Sequence, residues 1–266
     1  MGIGVSTSCY YPLETELALQ KVALLGAKTC EIFINTWSEL ERPFLDEICR
    51  IKDANGIRIP SLHPFLSFGE PYLLFSEYER RFTDTLDFFN KYFDAANILG
   101  AKILVMHGSK PLSAVSDELY FERFAKLMEN GRKHGITVAQ ENVVHYRSES
   151  IAFLTAMKDY IGNTFKIVLD LKQAGRAGYS AFDFVAGLEA HIAHIHISDF
   201  DDTHDCLPPG EGKFDYVRLF SVMSAAGYTG DYIIEIYRHN FADESQLTDA
   251  MLLMEKLHCP EPDKNK

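Results

Sequence analysis

The chain has 266 residues, 47% hydrophobic and 24% charged, which excludes a disordered or collagen-like chain and gives enough apolar mass for one large core. Its formal net charge is −12, from 38 acidic against 26 basic residues, a field that opposes long-range attraction to nucleic acid or to anionic membranes. Five scattered cysteines without a CxxC pair (Cys9, Cys30, Cys49, Cys206, Cys259) read as reduced thiols of a cytoplasmic protein, and the start carries no signal-peptide pattern.

Apolar runs and punctuating residues predict the elements in order. Gly2–Val5 is a strand and Pro12–Leu25 a helix ended by Gly26. Thr29–Ile34 is the second strand, followed by a helix over Ser38–Asn55 and the turn Asn55-Gly56. Strand three, Ile57–His63, stops at Pro64, and a Phe-, Gly- and Pro-rich loop leads to a helix over Glu77–Leu99 closed by Gly100. Strand four is Lys102–His107, with a helix over Ser116–His134; strand five is Ile136–Asn142, with a helix over Glu149–Tyr160. Strand six, Phe165–Leu171, runs into a Gly-rich loop and a short helix over Ala181–Leu188. Strand seven, His191–Ile197, meets a long polar loop before a helix over Tyr216–Ala226, and strand eight, Tyr232–Tyr237, precedes a last helix over Glu244–Leu257. The tail from Cys259 to Lys266 is expected to fray.

Eight strand-then-helix units of about 32 residues each call for a parallel sheet, and that number at that length predicts an α/β fold, a single (β/α)8 TIM barrel over residues 1–258. A doubly wound open sheet is the alternative. No linker or change in composition marks a second domain.

The apolar runs of strands three to eight end in turn on His63, His107, Glu141, Asp170, His196 and Glu235. Strand alternation puts each on the inward phase: Ala139 shares a face with Glu141, Val168 with Asp170 and Ile233 with Glu235. Each has an ordinary reading alone, as a turn residue, a core histidine or a helix cap. Barrel closure would bring all six to one mouth, the end where such folds keep their sites. Carboxylates gathered there repel one another unless a cation joins them. Glu141, Asp170, His196 and Glu235 form an oxygen-rich set with one imidazole, suited to Mn2+, Mg2+, Co2+ or Zn2+. His63 and His107 would complete a second, zinc-favouring site sharing Glu141, or else hydrogen-bond substrate hydroxyls.

In order and spacing, Ser61-Leu62-His63, Val105-Met106-His107, Glu141-Asn142, Leu169-Asp170, His196-Ile197-Ser198-Asp199, Pro209-Gly210-Glu211-Gly212 and Ile234-Glu235 resemble the xylose isomerase-like barrel superfamily. That superfamily groups sugar and sugar-phosphate isomerases and epimerases with endonuclease IV-type enzymes. The resemblance implies one divalent metal on Glu141, Asp170, His196 and Glu235, with Glu141 and Glu235 as the catalytic pair that moves a proton beside the carbonyl. Many relatives carry a His three residues after the Asp, where this chain has Gln173. In the endonucleases that His serves a third zinc, with an Asp-x-His pair that Asp202-Thr203-His204 superficially resembles; Gln173 makes that chemistry doubtful and suits an altered polyol contact.

Around the mouth, Gln173, Asp199, Glu211 and Arg238 are expected to contact substrate, and Lys110, Lys172, Arg176 and Lys213 are further cations that follow strand ends. Trp37, Phe65 and Phe68 would wall a sugar pocket or simply pack. The resulting expectation is a cytoplasmic, metal-dependent isomerase or epimerase of a small carbohydrate, with no nucleic-acid or membrane partner and with a homo-oligomer left open. A zinc phosphodiesterase and a catalytically silent sugar binder are the rival readings.

Overall fold

The computed structural model describes residues 2–111 and 115–259. Eight strands hydrogen-bond in sequence order and close into a barrel: β1 Ile3–Ser6, β2 Cys30–Phe33, β3 Ser61–His63, β4 Ile103–Met106, β5 Thr137–Glu141, β6 Ile167–Asp170, β7 Ile192–Ile197 and β8 Tyr232–Ile234. Every pair is parallel, and β1 returns to β8 through Ile3–Tyr232, Gly4–Ile233 and Val5–Ile234. The closed barrel bears out the expected (β/α)8 fold and removes the open-sheet alternative.

The helices in chain order are α1 Thr15–Leu24, α2 Arg42–Asn55, α3 Glu70–Leu73, α4 Glu79–Leu99, α5 Asp117–Lys133, α6 Ile151–Ile161, α7 Leu171–Arg176, α8 Ala181–Leu188, α9 Tyr216–Ala225 and α10 Glu244–His258. Their ends carry the expected chemistry. Ser116 caps α5 by accepting from Leu119 N–H, with Asp117 and Glu118 in its first turn and Arg132 and Lys133 in its last, complementing the helix dipole. Asp243 and Gln246 form a reciprocal capping box on α10. Cys259 ends that helix; the rest of the expected tail, 260–266, lies outside the described residues.

Two strand boundaries and two short helices depart from expectation. β3 begins at Ser61 rather than Ile57, because Pro60 has no N–H to give to a ladder; Ile57 and Ile59 are buried all the same. β8 ends at Ile234, so Glu235 stands just beyond its strand. Two short helices, α3 and α7, occupy stretches expected to be loop. Asp170 makes α7 possible: its Oδ1 accepts from Gln173 N–H at 2.8 Å, so the last residue of β6 is also a helix cap.

The main core lies between the sheet and the surrounding helices, as burial of the helices' apolar stripes requires. A smaller cluster of Val105, Ala139 and Val168, with Ile103 against it, fills the barrel interior. Two residues on from Val105, Ala139 and Val168 come His107, Glu141 and Asp170, so period-two alternation lifts one polar layer above one apolar layer.

Gly108, directly after β4, has φ +88°, and a Cβ added there would overlap the Tyr120 hydroxyl. That hydroxyl is fixed by its 2.5 Å bond to Gln140 Oε1. The Gly108 N–H in turn donates to Glu70 Oε2 on α3. Gly108→Ala should therefore cost roughly 1–3 kcal/mol of stability, read as a lower urea midpoint at unchanged m-value.

Burial pushes the Glu70 carboxyl up from 4.5 to about 8, an effect that the Gly108 N–H only partly offsets. Unfolding lets this group ionise at its ordinary value, so between about pH 4.5 and 8 the native state binds the extra proton and stability falls as pH rises. Glu70→Gln should remove that slope. Its stability relative to wild type is expected to improve from pH 5 to 8 and then level off; a gap that does not change with pH would refute the assignment.

Candidate metal centre

All six polar strand ends reach one mouth. His63 ends β3, Glu141 ends β5, Asp170 ends β6 and His196 lies within β7, while His107 and Glu235 follow β4 and β8. His63, Glu141, Asp170 and His196 are about 1% exposed. The side chains of His107 and Glu235 retain 21% and 14%, so solvent reaches the cluster beside these two.

Three overlapping groups emerge, each with its ligand atoms within 4.8 Å of one another; one, Glu31, His194 and His196, is wholly buried beneath the other two. Of those two, the first joins Glu141, Asp170, His196 and Glu235. His196 Nδ1 is its hub, 3.2 Å from Glu141 Oε1, 3.4 Å from Glu235 Oε2 and 3.8 Å from Asp170 Oδ2. The second joins His63, His107 and Glu141. There His107 Nε2 lies 2.9 Å from Glu141 Oε2 and 2.9 Å from His63 Nε2, and His63 stacks on Phe33 at 4.4 Å.

The donors fit a divalent cation. Glu141 Oε2 and Asp170 Oδ2 are buried and accept no aligned hydrogen bond, although His107 Nε2 and Lys172 Nζ stand 2.9 and 3.1 Å from them, so a metal would take up acceptor capacity that these cations fill only in part. Charge in the cluster is balanced by the chain's own cations. Burial alone would raise Glu141, but His107, His196 and His63 outweigh it and hold the carboxylate well below its usual range. Glu235 is likewise pulled down against burial by Lys172 and His196. Asp170 is raised by burial, which Lys172 and His196 offset only in part. His196 is held well above its ordinary value, because Glu31, Glu235, Asp170 and Glu141 together overcome its burial.

Glu31, His194 and Lys172 give this site a depth that the strand ends alone do not reveal. Glu31 on β2 is fully buried; its Oε2 lies 3.1 Å from His196 Nε2 and 3.2 Å from His194 Nε2, and accepts from Ser61 Oγ at 2.8 Å. It thus addresses the face of His196 opposite the carboxylate set, the arrangement that fixes which imidazole nitrogen is left for a metal. His194, two residues before His196, shares its inward phase one layer lower. Lys172 on α7 turns inward, its Nζ 3.1 Å from Asp170 Oδ2 and 3.0 Å from Glu235 Oε2. The sequence signal for Glu31 and His194 was a charged or polar residue on the inward phase within an apolar run.

Four expected substrate contacts are placed otherwise. Asp199 is buried and spends both oxygens on its own loop: Oδ1 accepts from Phe200 and Phe214 N–H, and Oδ2 from Gly210 N–H. Glu211 is exposed and accepts from Gln246 Nε2 on α10 at 2.7 Å. Arg238 is exposed, folded over the Phe241 ring and donating to the Phe241 carbonyl. Gln173 uses its carboxamide oxygen to accept from Val144 N–H, tying the loop after β5 to α7. Asp202 pairs with Lys213, and His204 with Asp201, so the Asp-x-His segment is engaged at the surface. Trp37 packs edge-on against Phe65 and Phe88, while Phe68 stays exposed.

Beside the cluster, between the loops after β6 and β7, a cavity of about 1010 Å³ reaches inward to Lys172 and Ser198. Its basic rim is already occupied: Arg176 pairs with Asp205 at 2.6 Å, Lys213 with Asp202, and Arg218 stacks 3.9 Å over Phe182.

Residues 19–257 match the family model described as xylose isomerase-like TIM barrel. Among curated relatives, an uncharacterized protein of Mycobacterium tuberculosis is 23% identical over 88% of this chain and 88% of its own. The L-ribulose-5-phosphate 3-epimerase UlaE of Shigella flexneri is 24% identical over 78% of this chain and 73% of its own. Of solved structures, a D-tagatose 3-epimerase-like protein superposes with a TM-score of 0.79 at 20% identity, covering 97% of this chain and 98% of that one. With nearly the whole barrel inside the matched residues, the chain belongs to the xylose isomerase-like TIM barrel family.

Proposed function

We propose that this protein is a divalent-metal-dependent isomerase or epimerase of a small sugar, sugar phosphate or related hydroxy-carbonyl compound. The observation that carries the reading is the convergence of Glu141, Asp170, His196 and Glu235 within 4.8 Å at the ends of β5 to β8, with two carboxylate oxygens left without hydrogen bonds. Relatives named as sugar epimerases supply the substrate class. Mn2+, Mg2+, Co2+ and Zn2+ all suit three carboxylates and one imidazole.

Such an ion would supply Lewis-acid polarisation of neighbouring carbonyl and hydroxyl oxygens. The chain's residues do the rest. Glu235, the more accessible carboxylate, takes the proton from the carbon beside the carbonyl and keeps it, while Glu141, having first picked up a proton from solvent, delivers that one to the other side of the same carbon; solvent exchange then resets both, and the reverse reaction swaps the roles. His63 and His107 orient substrate hydroxyls beside Glu141. Glu31 holds His196 in register beneath the set.

A second reading rests on the His63, His107 and Glu141 group, whose two imidazoles and one carboxylate suit zinc and hence phosphodiester chemistry. The −12 net charge and the paired cations of the rim weigh against DNA as substrate. Zinc-loaded protein is expected to leave an abasic duplex intact at low salt, and nicking that disappears in His63→Ala would promote this reading instead.

Metal-dependent uptake of solvent deuterium across a panel of sugars and sugar phosphates tests the first reading. Glu141→Gln and Glu235→Gln, assayed at measured metal occupancy, should each slow exchange by roughly 10²–10⁴-fold. A fully loaded variant exchanging at the wild-type rate would remove that glutamate from the proton path. Glu31→Gln should weaken metal binding by about 10–100-fold while the folded spectrum is kept; unchanged affinity would leave Glu31 as core packing only.

A further inference from the structure

Lys172 is an unusual neighbour for a metal site. Its side chain is 3% exposed, and its ammonium lies 3.1 Å from Asp170 Oδ2 and 3.0 Å from Glu235 Oε2. Those are the same two oxygens that face His196 Nδ1, at 3.8 and 3.4 Å. The other oxygen of Asp170 is already committed to capping α7. A divalent ion held by this set and the Lys172 ammonium therefore address the same atoms. The ammonium stands over the Tyr237 ring, 5.2 Å from its centroid, and 3.4 Å from the Glu235 carbonyl. Position and partners are thus fixed from three directions.

We propose that Lys172 is a built-in counter-cation that shares Asp170 and Glu235 with the metal, keeping the ligand set assembled before the ion arrives and limiting how tightly the ion is held. The inference rests on the metal reading of this site and adds to it a positioning role for a residue of α7. Three buried or nearly buried carboxylates cannot stay ionised side by side without compensation. An ammonium in contact with two of them supplies one charge permanently. When a divalent ion joins the set, the ammonium and the ion repel at short range in a poorly screened environment. Weaker and more exchangeable binding follows, together with a pocket that does not collapse when the ion leaves.

The test is Mn2+ titration of chelator-stripped protein, read by calorimetry and by thermal melting with and without the ion. Lys172→Met keeps an unbranched apolar stem of nearly the same length while deleting the charge; Lys172→Arg keeps the charge. Lys172→Met should bind Mn2+ about tenfold or more tightly than wild type, melt lower when stripped, and gain more from the ion. The arginine variant should stay near wild type in affinity. If the stripped methionine variant does not fold, it is prepared in Mn2+ and its affinity is measured by competition with a chelator, where tighter binding remains the expected result. Equal or weaker affinity in Lys172→Met, with wild type binding normally, overturns the role given to Lys172 and leaves the metal reading standing. Wild-type protein that binds no divalent ion overturns the metal reading itself.

Discussion

Charge compensation at the barrel mouth is the constraint on which the rest of this structure depends. Glu31, Glu141, Asp170 and Glu235 are brought together where water scarcely reaches, an arrangement that would take up protons or unfold if left uncompensated. His196 stands between them, with one ring nitrogen toward Glu31 and the other toward the remaining three. Lys172 closes the far side. Each cation touches at least two carboxylates, so removing one leaves more than one charge exposed to the apolar interior. A site built this way has the donors to take a further cation, and its own positive charge already holds those donors together.

The barrel makes this arrangement inexpensive in backbone terms. Period-two alternation turns every second side chain of a strand inward, alternate strands filling each level, and Val105, Ala139 and Val168 pack two residues below His107, Glu141 and Asp170 on their own strands. The site needs no unusual loop for its ligands, only the right residue at the end of each strand. Loops instead supply the second tier: α7 carries Lys172, and α3 carries Glu70 against Gly108 behind His107.

This division explains what could be read from the sequence. Eight apolar runs, each ended by turn chemistry, give the barrel, and period-two alternation gives the six mouth residues, because both depend only on local spacing. Glu31 and His194 escape the same reading because they sit inside their runs, where a polar residue on the inward phase looks like an interruption. Lys172 adjoins Asp170 in sequence, yet its second partner, Glu235, lies 63 residues on and is fixed only by closure of the barrel. The partners of Asp199, Glu211 and Arg238 are hidden for a related reason. Those partners, Phe214, Gln246 and Phe241, are set by how loops fold over one another, and strand periodicity carries no information about that.

Accessibility then separates residues that electrostatics alone would treat alike. His107 and Glu235 are the partly exposed members of the cluster, and they follow β4 and β8, four strands apart around an eight-stranded ring. Glu141, which contacts His107, is by contrast about 1% exposed. The two glutamates proposed for proton transfer are unequal before any substrate binds: Glu235 keeps 14% exposure and is tethered by Lys172, whereas Glu141 is buried and held by imidazoles. An epimerisation needs opposite faces of one carbon to be addressed by different groups, and this inequality of depth is a geometric basis for it.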